Sequence, residues 1–251
     1  MPLFSKQRRS FLLANKTGKY LVYALGEIII IVVGIMFAVA INNWNEDRLN
    51  SQKEIVLLTK LKSEFESNQL SLKSSVNDLE QVRNKLTTFL DLMGPKPDKV
   101  EDSVIHDTVA NYYWNPSYSP NKVIFDMSQS NGDFNLITNT QLQEKLRKWA
   151  NVISHIKFMQ QAISKHQETA AEVWLDLHSW KSSIASTGEL EGVGPSNFPF
   201  DQAKLLSTPA IEHAVSMKLT LTHMHINQLI KTIKLQQELI DILNLEIKHA
   251  K

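Results

Sequence analysis

The chain has 251 residues, with 27 Lys and Arg against 26 Asp and Glu and no cysteine. Near-neutral charge gives no electrostatic footprint for nucleic acid. The missing cysteine excludes disulfides, thiol chemistry and Cys-type zinc sites.

Residues 1–19 hold Lys6, Arg8, Arg9, Lys16 and Lys19 and no acidic residue. There follows LVYALGEIIIIVVGIMFAVAI, residues 21–41, whose one charge is Glu27. About 20 apolar residues suffice for a helix to cross a bilayer core. A transmembrane helix is therefore predicted over 20–44, with Tyr20, Tyr23 and Trp44 near its two ends, where amphipathic rings prefer the interface. Trp44 is the expected interface anchor. Basic flanks stay cytoplasmic, so residues 1–19 are expected in the cytoplasm and residues 45–251 in the periplasm of an inner membrane. Beyond the span, 22 basic residues face 25 acidic ones. The competing reading is a secretory signal cleaved after Ala38-Val39-Ala40. The apolar run is longer than the about 7–15 residues of such signals, which favours an uncleaved signal-anchor.

The opening YALGEIIIIVVGIMFAVAINNWNE resembles the signature of an uncharacterised family of single-pass Gram-negative membrane proteins, domain of unknown function 6090. Tyr23, Ala24, Gly26, Glu27, Gly34, Ile35, Ile41, Asn42, Asn43, Trp44, Asn45 and Glu46 carry the match. A weaker likeness lies in IFDMSQSNGDFNLITNTQLQEKL, where Asn131-Gly132 replaces the family's Ser-Gly turn. The resemblance implies an inner-membrane anchor with an exported helical region, and brings no activity.

Residues 46–93 read as one long helix leaving the span. Leu58, Phe65, Leu72, Leu79, Leu86 and Met93 recur at heptad spacing, with Leu61, Asn68, Ser75, Val82 and Phe89 between them. Gly94-Pro95 and Pro97 stop it. The connection to residue 140 carries two predicted short helices, near 102–113 and 121–130, the second ended by Asn131-Gly132. Between them YYWNPSYSP reads as an aromatic lid over the end of a bundle, the alternative being a recognition surface. Thr140 and Gln143 form a capping-box pattern. The second long helix is predicted to reach Ile184, on a seam of Leu142, Trp149, Ile156, Ile163, Ala170, Leu177 and Ile184. Thr208-Pro209 opens the third, whose seam reads Leu219, Ile226, Ile233, Ile240 and Ile247, with Val215, Leu229 and Leu243 between. The fold class is all-α: one transmembrane helix, then an elongated antiparallel bundle of three long helices, with short helices in the first connection. In that arrangement the C-terminus lies far from the membrane.

Tyr20, Tyr23, Glu27, Gly34 and Ala38 share one face of the span. Gly34 and Ala38 form a small-xxx-small pair that permits close helix approach. That stripe is the expected contact surface, for self-association or another membrane protein, alongside the lipid bilayer itself. Asn68, Ser75, Gln160, Gln167, Thr222 and Gln236 fall at similar heights on the three seams. They would line a polar cavity or fix the register of the helices. His223 and His225 stand about 200° apart on a helix and cannot share a face. HExxH, a P-loop, G-x-G-x-x-G and G-x-S-x-G are all missing from the sequence. No catalytic, cofactor or metal site is expected, nor an enzyme. The expected role is a structural or accessory subunit of a cell-envelope assembly that acts through protein contacts. One alternative is a periplasmic ligand-sensing bundle signalling through a separate partner. A proton-coupled subunit using Glu27 is the other.

Overall fold

In a computed structural model of the chain, residues 16–249 are described, and their regular structure is all helical. Lys6, Arg8 and Arg9, on which the expected orientation rests, lie outside the described residues. Helix α1 runs Lys16–Leu92 without a break. Nothing in its sequence interrupts it, since no proline occurs from residue 3 to residue 94. It closes where Gly94 donates its N–H to Leu206 O at 3.1 Å and Pro95 follows. Six further helices follow: α2 (Asp102–Tyr113), α3 (Val123–Asn131), α4 (Thr140–Leu175), α5 (Trp180–Thr187), α6 (Gln202–Leu206) and α7 (Pro209–His249). A 3₁₀ turn, Asp133–Leu136, separates α3 from α4.

The chain divides into two compact units between Ile55 and Val56. In the first unit α1 is apolar and long enough to span a membrane. Its Leu, Ile, Val and Phe side chains are exposed, as suits a helix whose solvent is lipid.

The second unit is a helical bundle whose core lies in three successive layers. At one end Leu57, Leu58, Leu61 and Phe65 of α1 meet Leu142, Leu146 and Trp149 of α4 and Leu235, Leu239 and Leu243 of α7. In the middle Leu72 and Leu79 meet Ile156, Ile226 and Leu229. At the other end Val82, Leu86 and Phe89 meet Ala170, Trp174, Ile211 and Val215. Each buried Leu, Val or Phe contributes about 1.5–3 kcal/mol by leaving water. Residue numbers rise through the layers on both α1 and α4 and fall on α7. The two long helices α1 and α4 are therefore parallel, and α7 is antiparallel to both. The return leg is the first connection itself: Ile105 and Tyr112 sit in the α7-start layer, Tyr118 in the middle and Phe125, Phe134 and Ile137 in the Leu57 layer. Helix α7 thus ends beside Leu57, with Ile247 packed on that layer. The bundle's C-terminal end is the Leu57 end, not the far end that three alternating helices would give.

Other local expectations are corrected. Helix α4 stops at Leu175 instead of Ile184. His178 N–H turns back to Trp174 O at 2.9 Å, and the chain restarts at Trp180 so that α5 packs against α2. The cap of α4 is Asn139, whose Oδ1 accepts from Leu142 N–H at 2.9 Å, and not Thr140. Gln143 instead donates to Ile137 O. Gly132 closes α3 at φ 85°, the left-handed conformation that glycine adopts without steric cost. The start of α3 is capped from a distance: the Glu64 carboxylate accepts from Ile124 N–H at 2.7 Å and Phe125 N–H at 3.2 Å. Burial pushes the Glu64 carboxyl up, and these two bonds pull it back.

Candidate functional site

The segment 112–121 carries Tyr112, Pro116, Tyr118 and Pro120 along the length of the bundle. It is a strap with Tyr112, Pro116 and Tyr118 buried and Trp114, Ser117 and Ser119 exposed, and not a lid over the bundle's end. Prolines keep it extended, so its carbonyls have no ladder partners of their own. Buried backbone groups need partners, and the three long helices supply them through side chains. Gln167 donates to Tyr112 O at 2.6 Å, Lys218 to Trp114 O at 3.4 Å, Ser75 to Ser117 O at 3.4 Å and Gln160 to Tyr118 O at 3.1 Å. Asn68 binds Asn121 at both its N–H (2.8 Å) and its C=O (2.7 Å). Gln236 donates to the Tyr118 hydroxyl at 2.9 Å. Five of the six polar seam residues, Asn68, Ser75, Gln160, Gln167 and Gln236, are thus gathered on this strap. Thr222 is buried with its hydroxyl unpartnered.

The strap also changes α7. Its buried face combines Val215, Ile226, Leu229, Ile240 and Leu243 of the expected seam with a polar row, Lys218, Thr222, His225, Thr232 and Gln236. Leu219 and Ile233 of the expected seam are only partly buried. Periodicity found the apolar side of this face and, in Thr222 and Gln236, part of its polar row, and passed over Lys218, His225 and Thr232. Lys218 and His225 are fully buried. No carboxylate pairs with Lys218 among the described residues. Burial lowers the Lys218 ammonium to about 7. Burial, with Lys218 nearby, lowers His225 to about 4. Both ring nitrogens of His225 are unpartnered.

Three clefts of the second unit lie where α2, α5 and the end of α4 meet. One, of about 500 Å³, is lined by His106, His178, Trp180, Ser182, Phe198 and Phe200 among others. Its polar centre is a histidine pair: His106 Nδ1 lies 2.8 Å from His178 Nε2, and Phe200 packs on both rings. Burial, with His106 beside it, lowers His178 to about 4. Burial also lowers His106, against the opposing pull of Asp102. Two neutral imidazoles can share one hydrogen bond, one donating and one accepting. A second cleft, of about 310 Å³, is apolar and bounded by Val109, Tyr113, Trp174, Leu175 and Trp180. A third, of about 410 Å³, opens between α2 and α5. Tyr113 and Trp114 belong to the aromatic run YYWNPSYSP, whereas nothing in the sequence singled out the histidine pair. His106 and His178 are 72 positions apart, and only the break after Leu175 brings them together.

In the first unit, Tyr20, Tyr23, Glu27, Gly34, Ala38 and Trp44 are all exposed. A Cβ added at Gly34 would meet nothing within 4 Å. This face is open to whatever surrounds the helix.

Neither the curated proteins nor the solved structures hold a match to this chain. One family model does match. It covers residues 27–149, from the span through the strap to Trp149, and describes a family of unknown function (DUF6090). The resemblance carried by the opening motif therefore stands: the model of the uncharacterised family DUF6090 matches residues 27–149 of an all-helical chain that has one helix long and apolar enough to cross a membrane.

Proposed function

We propose that this protein is an anchored accessory subunit of a cell-envelope assembly. In this reading its short basic N-terminus is cytoplasmic, its bundle is periplasmic, and it acts by protein contact. The observation that supports the reading is the span. Its whole apolar wall is exposed, and Gly34 leaves room for a second helix to approach closely. Glu27 on the same face would act as a polar lock within such a contact. Native mass spectrometry of the full chain extracted from its own membranes tests this, with Gly34→Leu and Ala38→Leu beside it. The reading expects an oligomer or a hetero-complex that both substitutions weaken. A monomer, or a complex indifferent to both, overturns it. A C-terminal reporter active only after export tests the orientation. Retained output with Glu27→Gln would remove the proton-coupled alternative.

A second reading, ligand sensing through a separate signalling partner, is favoured by the grouped clefts around Trp180. Ligand pockets are typically concave, mostly apolar and of this size.

A further inference from the structure

The cleft between α2 and α5 has a composition of its own. Three aromatic side chains, Tyr113, Trp114 and Trp180, line it together with Asn111, Thr187 and Glu189. No Lys or Arg does, so Glu189 is the only formal charge in its wall. Trp114 is 43% exposed and Trp180 47%. Indoles are usually largely covered, and here two are left open on the same cavity.

Each of these groups is held in place. Tyr113 and Trp180 meet edge to face, with ring centroids 5.0 Å apart and planes at 71°. Trp114 is fixed at both backbone groups: its N–H bonds Ala110 O at 2.9 Å, and its carbonyl accepts from Lys218. The main chain before Glu189 turns through Gly188 at φ 69°, and Glu189 N–H bonds the Thr187 hydroxyl at 3.3 Å. Asp107 of α2 is paired with Lys85 at 2.6 Å. The cavity is therefore bordered by three aromatic rings and by one acidic side chain, Glu189.

Aromatic faces carry negative potential and attract cations, most of all weakly hydrated ones such as quaternary ammonium groups. An anion would find no basic side chain here. A neutral apolar molecule would use the rings and ignore the carboxylate.

We propose that this cleft is a binding site for a small organic cation of the quaternary ammonium class, with Tyr113, Trp114 and Trp180 around the cationic head and Glu189 as counter-charge. This deepens the sensing reading by naming its ligand class, and it is independent of contacts made by the span.

The test uses the full chain in maltoside micelles, because phosphocholine detergents carry the same headgroup. Calorimetric titration compares choline with its neutral isostere 3,3-dimethyl-1-butanol and with the zwitterion glycine betaine. Choline should bind saturably, and the neutral isostere about tenfold more weakly or worse. Trp180→Ala and Trp114→Ala should each weaken choline about tenfold, with helix content unchanged by circular dichroism. Glu189 is exposed, and Glu189→Gln should keep the fold while erasing the preference for choline over betaine. Free choline should bind unchanged beside phosphatidylglycerol or phosphatidylcholine vesicles. Competition by the second alone would assign the site to a lipid headgroup in place of the free cation. Equal binding of choline and its isostere would overturn the cation assignment while leaving a sensing cleft. No binding by any of the three would remove both for this cavity.

Discussion

Lys218→Met probes the most heavily buried charge in the bundle. Lys218 is fully buried, its one bond reaches the Trp114 carbonyl at 3.4 Å, and burial lowers its ammonium from 10.5 to about 7. Between those two values the unfolded chain binds the proton and the folded one does not. Stability must therefore rise with pH across that window, and be lost as pH falls back through about 7. Worked from the two values, the gain from pH 7 to pH 9 is about 2 kcal/mol. For a chain of this size that corresponds to an increase of about 4–8 °C in Tm. Other shifted groups act elsewhere. His178 and His225, both lowered to about 4, titrate on the acid side, and Tyr112 and Tyr118, both raised to about 12, act only above pH 10. Methionine fills similar volume without charge. The variant should be more stable at pH 7 by about 1–3 kcal/mol, after losing the bond to Trp114 O, and its Tm should be flat from pH 7 to 9. Thermal melts of the full chain in micelles, followed at 222 nm, read both quantities. A wild type with flat Tm over this range, or a variant that keeps the slope, would refute the reasoning.

Three further outcomes are expected. Glu64→Ala should destabilise the bundle by about 1–3 kcal/mol, because two buried N–H groups at the start of α3 lose their acceptor; Glu64→Gln should cost less, and urea titration ranks the two. His178→Leu should flatten the acid limb of the melting curve. His106 and His178 are both lowered, so the stability they contribute is full above about 6.5 and lost as pH falls, for His178 through about 4. Tyr118→Phe should cost about 1 kcal/mol by removing the acceptor for Gln236, and adding Gln236→Leu to it should restore part of the loss in a double-mutant cycle.

Much of the bundle is legible in the sequence. The α1 seam from Leu58 to Phe89 is buried throughout, and the α4 seam holds as far as Ala170. Both helices face apolar neighbours over most of their length, so hydrophobic periodicity and burial coincide there. On α7 they coincide only in part: Ile226 and Ile240 of the apolar seam are buried, and so are Lys218, His225 and Thr232, which an apolar pattern does not select. Leu177 and Ile184 keep the heptad spacing and still leave the helix. Nothing local breaks it; α5 gains more by covering α2 than by extending past the end of α1. The parallel run of α1 and α4 is equally silent, because a proline-rich connection gives no sign that it travels the length of the bundle. The clefts around Trp180 depend on that break and that return leg together, so no spacing along the chain points to them.

The polar row on α7 has a consequence for alignment. A heptad pattern of leucines and isoleucines looks nearly the same after sliding by seven residues, so apolar packing alone tolerates a helix displaced by two turns. The hydrogen bond from Gln236 to the Tyr118 hydroxyl does not. Seven residues either way from Gln236 stand Leu229 and Leu243, and either would face that hydroxyl with a hydrocarbon. Seven residues before Lys218 stands Ile211, which has no donor for the Trp114 carbonyl. The strap thus acts as a key. It admits α7 in one alignment and leaves buried oxygens stranded in the neighbouring ones, so a bundle with a repetitive seam still closes in a single way.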